Sequence, residues 1–317
     1  MREIYDKRYS VLTTQSVNEQ VVSDPAGFVS ASELYYNNQV MAAARTICES
    51  DRKFVLLCGP SASGKTTTAH KLERQIAAQG RRARVVSMDN FFMGIKNYPL
   101  LPDGSPDMES VKAVDMDLLN KCFDTLMDTG AAKFPIFDFE RQMSIHGAHD
   151  ITLDPDDILI MEGIHVLNPD VLCHIDRRYV YRIYCSVRTK FVSGEQTILV
   201  PKDIRLMRRM VRDHNFRNWP PERTLAYWKN VVAGEQINID PYRDDVDRKL
   251  DNTIDYEVCV WRELLNDLMK RSALYYDGTC PELTRIFDGL IHFEQINHEL
   301  IPKNSLLREF IGGEEEE

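Results

Sequence analysis

From Lys53 onward the chain alternates short apolar runs with longer amphipathic stretches. The runs at residues 53–58, 83–88, 157–161 and 179–186 have the length of buried strands, and the stretches between them carry helical periodicity. This alternation predicts βαβ units: an α/β fold with a mainly parallel sheet and helices on both faces. Ala69, Leu72 and Ile76 share one face of the first predicted helix, which Gln79-Gly80 ends. Residues 203–232 read as helix interrupted at Pro220-Pro221, and beyond Tyr256 a mostly helical region is expected to run to about residue 300. Before Lys53, Ser32 is expected to cap a helix with Leu34, Met41, Ala44 and Cys48 on one side. The segment GIKNYPLLPDGSPDMES, residues 94–110, is dense in Pro, Gly and Asp and reads as a long surface loop. Such loops are often functional. No internal repeat is present. The chain therefore divides into an N-terminal extension (1–50), a central domain (51–270) and a helical C-terminal region (271–317).

Composition narrows the class. Of 317 residues, 43% are hydrophobic and 28% charged, as in ordinary globular proteins. No apolar run approaches the roughly 20 residues that span a bilayer. The opening MREIYDKRYS lacks the apolar core of a secretory signal, so a cytoplasmic location and no membrane partner are expected. Seven cysteines (Cys48, Cys58, Cys122, Cys173, Cys185, Cys259, Cys280) stand singly, which argues against a disulfide framework or a zinc site and for buried thiols. The net charge of −10 argues against a general nucleic-acid surface, so any phosphate site must be local. His146 and His149 have ligand-like spacing but no third ligand, and read as loop histidines. Glu314 to Glu317 read as a solvated acidic tail.

One motif supplies that local site. Gly59 to Thr66 (GPSASGKT) satisfies GxxxxGK[ST] between a predicted strand and a predicted helix, the context a phosphate loop requires. Gly59 and Gly64 permit backbone geometry that a Cβ would obstruct. The N–H groups of Ser61, Ala62, Ser63, Gly64 and Lys65 can then surround a β-phosphate. Lys65 can reach the β- and γ-phosphates, and the Thr66 hydroxyl can ligate Mg²⁺. The competing reading is a Gly/Ser-rich turn with an exposed lysine.

The neighbouring signals separate a kinase from a GTPase switch. No guanine-reading NKxD occurs: Asn120-Lys121-Cys122-Phe123-Asp124 places the Asp one position late, and DxxG occurs only upstream at Asp24 to Gly27. Asp89 ends a strand, where it should face the phosphate loop and could take the proton of an attacking hydroxyl; a capping or Mg²⁺-shell role stays open. Glu162 ends another strand and would sit near Mg²⁺. Arg205, Arg208, Arg209 and Arg212 form a basic stripe in which Asp213 is the only acid between Asp203 and Glu222. The stripe could close over a nucleotide as a lid; a plain solvent face is the alternative.

These stretches, with FPIFDFE (134–140), ILIMEGIHVLNP (158–169) and IPKNSLLREFIGG (301–313), resemble the phosphoribulokinase/uridine kinase family of P-loop kinases. Within it the chain is most similar to the bacterial nucleoside kinase branch often fused to a TGS domain, a module that residues 1–50 are too short to contain. The resemblance implies a P-loop NTPase fold with the lid at 203–232, and a kinase using ATP and Mg²⁺. It implies Asp89 as general base for a nucleoside 5′-hydroxyl, with Lys65, Thr66, Thr67 and Glu162 as nucleotide and metal residues. Arg208, Arg209, Arg212 and Arg217 would belong to the lid, and Phe92, Phe137 and Asp138 would lie beside the acceptor. Uridine kinases have Tyr where Phe137 stands, a following His where this chain has Glu140 to Ser144, and Gly-x-Arg where it has Asn218-Trp219. The acceptor therefore stays open among a nucleoside, a sugar phosphate and a pantothenate-like alcohol, as does a non-catalytic ATP-binding regulator. A homo-oligomer is expected by analogy alone.

Overall fold

The computed structural model describes residues 3–6, 9–138, 141–171, 175–270 and 280–313; Glu140, Cys173 and the Glu314 to Glu317 tail lie outside them. Strands β1 (Glu3–Asp6) and β2 (Tyr9–Thr13) lead into α1 (Thr14–Ser23) and α2 (Pro25–Cys48). The Asp24 carboxylate accepts the Gly27 N–H at 2.9 Å and Pro25 occupies the first turn, which together start α2 with few unsatisfied donors. The cap is thus Asp24, not Ser32, whose hydroxyl is buried and accepts the Asp255 N–H at 2.8 Å. Phe28, Tyr36, Val40, Ala43 and Ile47 form the buried face, while Leu34 and Met41 are exposed. Packing against the next helix selects that face.

The central domain follows with β3 (Phe54–Cys58), α3 (Lys65–Ala77), β4 (Ala83–Ser87), α4 (Met116–Thr129), β5 (Ala131–Asp138), β6 (Met143–Thr152), β7 (Ile158–Gly163) and β8 (Val180–Ser186). After these come β9 (Thr189–Ser193), β10 (Gln196–Leu199), α5 (Pro201–Arg217), α6 (Pro221–Asn238), β11 (Arg248–Asp251), α7 (Val258–Met269), α8 (Pro281–Leu290) and α9 (Arg308–Ile311). The five central strands run in the order β11-β8-β3-β7-β4, every pair parallel. Side chains of a strand alternate between faces, so the sheet divides two cores. Val55, Leu57, Ile158 and Ile160 face one, with α2, α3 and α5; Phe54, Leu56, Leu159 and Met161 face the other, with α4 and β5.

The segment before residue 51 is built into this arrangement. Strand β2 pairs in parallel with β9, Ser10 opposite Thr189, and the buried Tyr36 hydroxyl lies 2.9 Å from Thr68 Oγ1 on α3. Three other expectations change. The 94–110 segment is no simple surface loop, since Tyr98 and Glu109 are buried and it folds back over the sheet. Past Tyr256 the described helices are α7 (Val258–Met269) and α8 (Pro281–Leu290), and short turns follow α8 before α9. His146 and His149 lie on the exposed strand β6. No described helix is long and apolar enough to cross a membrane.

Candidate functional site

Strand β3 runs straight into the 59–64 loop, which delivers the N-terminus of α3 to the carboxyl edge of the sheet. A Cβ on Gly59 would lie 2.2 Å from the Cys185 carbonyl oxygen of β8, so only glycine lets the loop cross that strand so closely. Gly64 has φ +84° and caps α3 in the left-handed region. The buried Asn252 amide grips the loop from behind, donating to the Ser63 carbonyl and to Thr68 Oγ1, each at 2.9 Å. The Ser63 N–H bonds the Pro60 carbonyl at 3.2 Å, so this donor, expected in the phosphate cradle, closes the loop on itself. The N–H and hydroxyl of Thr67 are taken by Glu309.

A cleft opens above the loop, and it collects most of the residues singled out in the sequence. Ser61, Ala62, Lys65 and Thr66 line it together with Asp89, Phe92, Phe137, Glu162, Arg209, Arg212 and Arg217. Ser87 pairs with Glu162 in adjacent strands, which brings Asp89, two residues beyond Ser87, beside Glu162. The Thr66 hydroxyl is 3.5 Å from Glu162 Oε1. Burial and the nearby Asp89 carboxylate push Glu162 up to about 7, against Lys65 and the Ser87 hydroxyl. Glu162 is buried and Asp89 half-buried, and both carboxylates line the cleft with the Lys65 side chain.

The arginine stripe separates into two groups, because neighbouring residues on a helix point about 100° apart. Arg209, Arg212 and Arg217 converge on the single buried carboxylate of Asp213, at 3.3, 2.7 and 3.4 Å. Burial opposes ionisation of Asp213, but these guanidiniums hold it below the usual carboxylate range. Further carboxylates lie near the same guanidiniums: Asp89 near Arg217 and Glu109 near Arg209. Arg208 points the other way. It is wholly buried and bidentate on Glu257 at 2.7 and 2.8 Å, and it donates to the Asn252 carbonyl at 2.8 Å. The expected lid role of Arg208 is therefore corrected: it braces Asn252, which holds the phosphate loop. Asp138 also stays out of the cleft; strand alternation turns Phe137 inward and leaves Asp138 to accept the Arg141 N–H at 2.9 Å.

Residues that the sequence did not mark complete the cleft: Tyr98, Met108, Glu109, Gln142, Ile164 and Glu309. Only the Pro/Gly/Asp density of the 94–110 segment hinted at the first three. Phe92 lies between Tyr98 and Phe137, with ring centroids 6.0 and 6.1 Å away, an apolar wall of stacked edges and faces. Tyr227, Gly234 and Asn238 of α6 seat the loop: the Tyr227 hydroxyl accepts the Met108 N–H at 3.0 Å, and the Asn238 amide donates to the Glu109 carbonyl at 2.8 Å. A Cβ on Gly234 would lie 2.3 Å from that of Glu109. Burial, with Glu235 and Asp89 adding, pushes Glu109 up to about 7 against Arg209 and Lys65. A carboxyl raised in the folded state adds stability below its ordinary pKa and loses it as pH rises through about 7. Glu109→Gln is therefore expected to melt progressively higher than the wild type as pH is raised from about 5 to about 8. Parallel melting curves across that range would refute the shift.

The profile of the phosphoribulokinase/uridine kinase family matches residues 54–253. A uridine kinase from Lactobacillus johnsonii is 30% identical over 185 residues, 58% of this chain and 79% of that protein. One from Ureaplasma urealyticum is 25% identical over 179 residues, 56% of this chain and 77% of that protein. A solved structure described as a possible uridine kinase from Bacillus stearothermophilus aligns over 68% of this chain and 98% of its own, at 18% identity and a TM-score of 0.45.

Proposed function

The chain belongs to the phosphoribulokinase/uridine kinase family, and from that premise we propose that it transfers the γ-phosphate of ATP to the 5′-hydroxyl of a nucleoside. The observation that carries this reading is the shared cleft: Lys65, Thr66, Asp89 and an aromatic wall line one cavity. Asp89 takes the proton of the acceptor hydroxyl. The freed oxygen bonds to the γ-phosphorus, the bond from that phosphorus to the β,γ-bridging oxygen breaks, and ADP leaves. Arg209, Arg212 and Arg217, which line the cleft, stabilise charge on the phosphoryl group in flight. The hard oxygen donors of Thr66 and Glu162 suit Mg²⁺, which when bound would neutralise phosphate charge.

The acceptor half favours a molecule with a flat ring. Phe92, Tyr98 and Phe137 can stack on a base, and Gln142, from the stretch that replaces the uridine kinase histidine, offers both a donor and an acceptor to its edge. The chain's relatives named uridine kinase point the same way. Incubation with γ-labelled ATP and a panel of nucleosides, sugar phosphates and pantothenate tests the reading. Label in a nucleoside 5′-monophosphate is the expected result. Preferential transfer to an anionic alcohol would move the substrate class, and ATP binding without transfer to any acceptor would make the protein a regulator.

A further inference from the structure

The residues from 301 to 312 lie beyond the part of the chain that matches the family, yet they reach its phosphate loop. The segment is closed on itself by Arg308, which donates to the carbonyls of Ile301 at 2.6 Å, Pro302 at 3.2 Å and Gly312 at 3.2 Å. Leu306, Leu307 and Phe310 are fully buried. A Cβ on Gly64 would lie 2.6 Å from Leu306 Cδ1, and the Phe310 ring lies 5.2 Å from the Arg208 guanidinium while its carbonyl accepts Asn215 Nδ2 at 3.2 Å. So anchored, α9 presents Glu309 to the start of α3. Glu309 Oε2 accepts from the Thr67 N–H at 3.2 Å and from the Thr67 hydroxyl at 2.6 Å, and the side chain lines the cleft.

Thr67 is the third residue of α3, so its N–H is one of the donors that a helix leaves free at its N-terminus and that a nucleotide phosphate would use. A carboxylate and a phosphate oxygen cannot both take them. We infer that Glu309 is a built-in competitor for the nucleotide: its carboxylate holds the Thr67 donors until a phosphate group displaces it, and so sets the affinity for ATP. The backbone of the segment stays docked on its buried leucines and phenylalanine, and the Glu309 side chain alone turns away. The inference rests on the phosphate loop holding a nucleotide.

Calorimetric titration of the full chain with ATP and with adenosine, on the wild type, Glu309→Gln and Glu309→Ala, together with melting curves without nucleotide, tests it. Loss of the charge is expected to tighten ATP binding on the order of tenfold, as for a charge-assisted contact removed, and to leave adenosine binding unchanged. The same variants should melt lower than the wild type without nucleotide, because α3 loses its capping carboxylate. A purely structural contact would lower stability and ATP affinity together. Unchanged or weaker ATP binding by both variants overturns the inference alone, whereas a wild type that binds no ATP overturns the kinase reading as well.

Discussion

Replacing Asp89 with Asn is expected to lower the rate of phosphoryl transfer by about 10²- to 10⁴-fold, the range in which a positioned general base contributes, while the Kd for ATP changes little. The separation follows from the site. Asp89 lines the cleft from the 88–91 turn, outside the 59–66 phosphate loop, so an amide there removes the proton acceptor and leaves the loop's phosphate contacts in place. Asn keeps the size of Asp and can still satisfy the Ser87 end of the turn, where the Asp89 N–H meets the Ser87 hydroxyl at 3.4 Å. Single-turnover measurement with labelled ATP and the accepted nucleoside gives the rate, and titration with ATP alone gives the affinity. Full turnover by Asp89→Asn would remove Asp89 as the base and leave the acceptor hydroxyl to be deprotonated elsewhere.

The second large effect concerns stability. Arg208→Ala is expected to cost about 3–5 kcal/mol, because it strands the Glu257 carboxylate in a site from which water is excluded. Both side chains are fully buried, so solvent screening does not soften the loss. Glu257 would retain the Ile254 N–H at 3.0 Å and the Trp261 indole N–H at 3.3 Å, too little to solvate a full charge. Pairing the change with Glu257→Leu should recover much of the loss, because no charge is then left alone. The variant should also bind ATP more weakly, since the Asn252 carbonyl loses its donor and Asn252 holds the loop. Arg212→Ala offers the contrast. Arg209 and Arg217 still neutralise Asp213, so little stability should be lost, while transfer slows. Chemical denaturation beside turnover distinguishes the two. An Arg208→Ala protein of wild-type stability would mean that the ion pair forms without net consequence.

How far the site was legible in the sequence varies with the range of the interactions involved. The phosphate loop was, because its chemistry is local: two glycines, a lysine and a hydroxyl at fixed offsets between a strand and a helix. Asp89 and Glu162 were as well, since parallel strands place their carboxyl ends along one edge; Glu162 stands at such an end and Asp89 in the turn two residues past another. The arginine stripe was legible as charge but not as geometry. Periodicity put Arg208 with its neighbours, and only the location of Glu257, forty-nine residues later, shows that it faces the interior. In the N-terminal helix, Asp24-Pro25 was a readable start signal that Ser32 obscured.

By itself the sequence determined the class of fold, four of the five parallel strands and the phosphate-loop motif, since each depends on side-chain period or on backbone freedom within a few residues. Tertiary structure alone decided which charges meet. Glu109 entered the cleft because α6 presses on its loop, Arg208 left it for Glu257, and Glu309 arrived from the far end of the described chain to take the Thr67 donors. Coulombic and hydrogen-bonding partners are set by distance in space, to which separation along the chain is no guide.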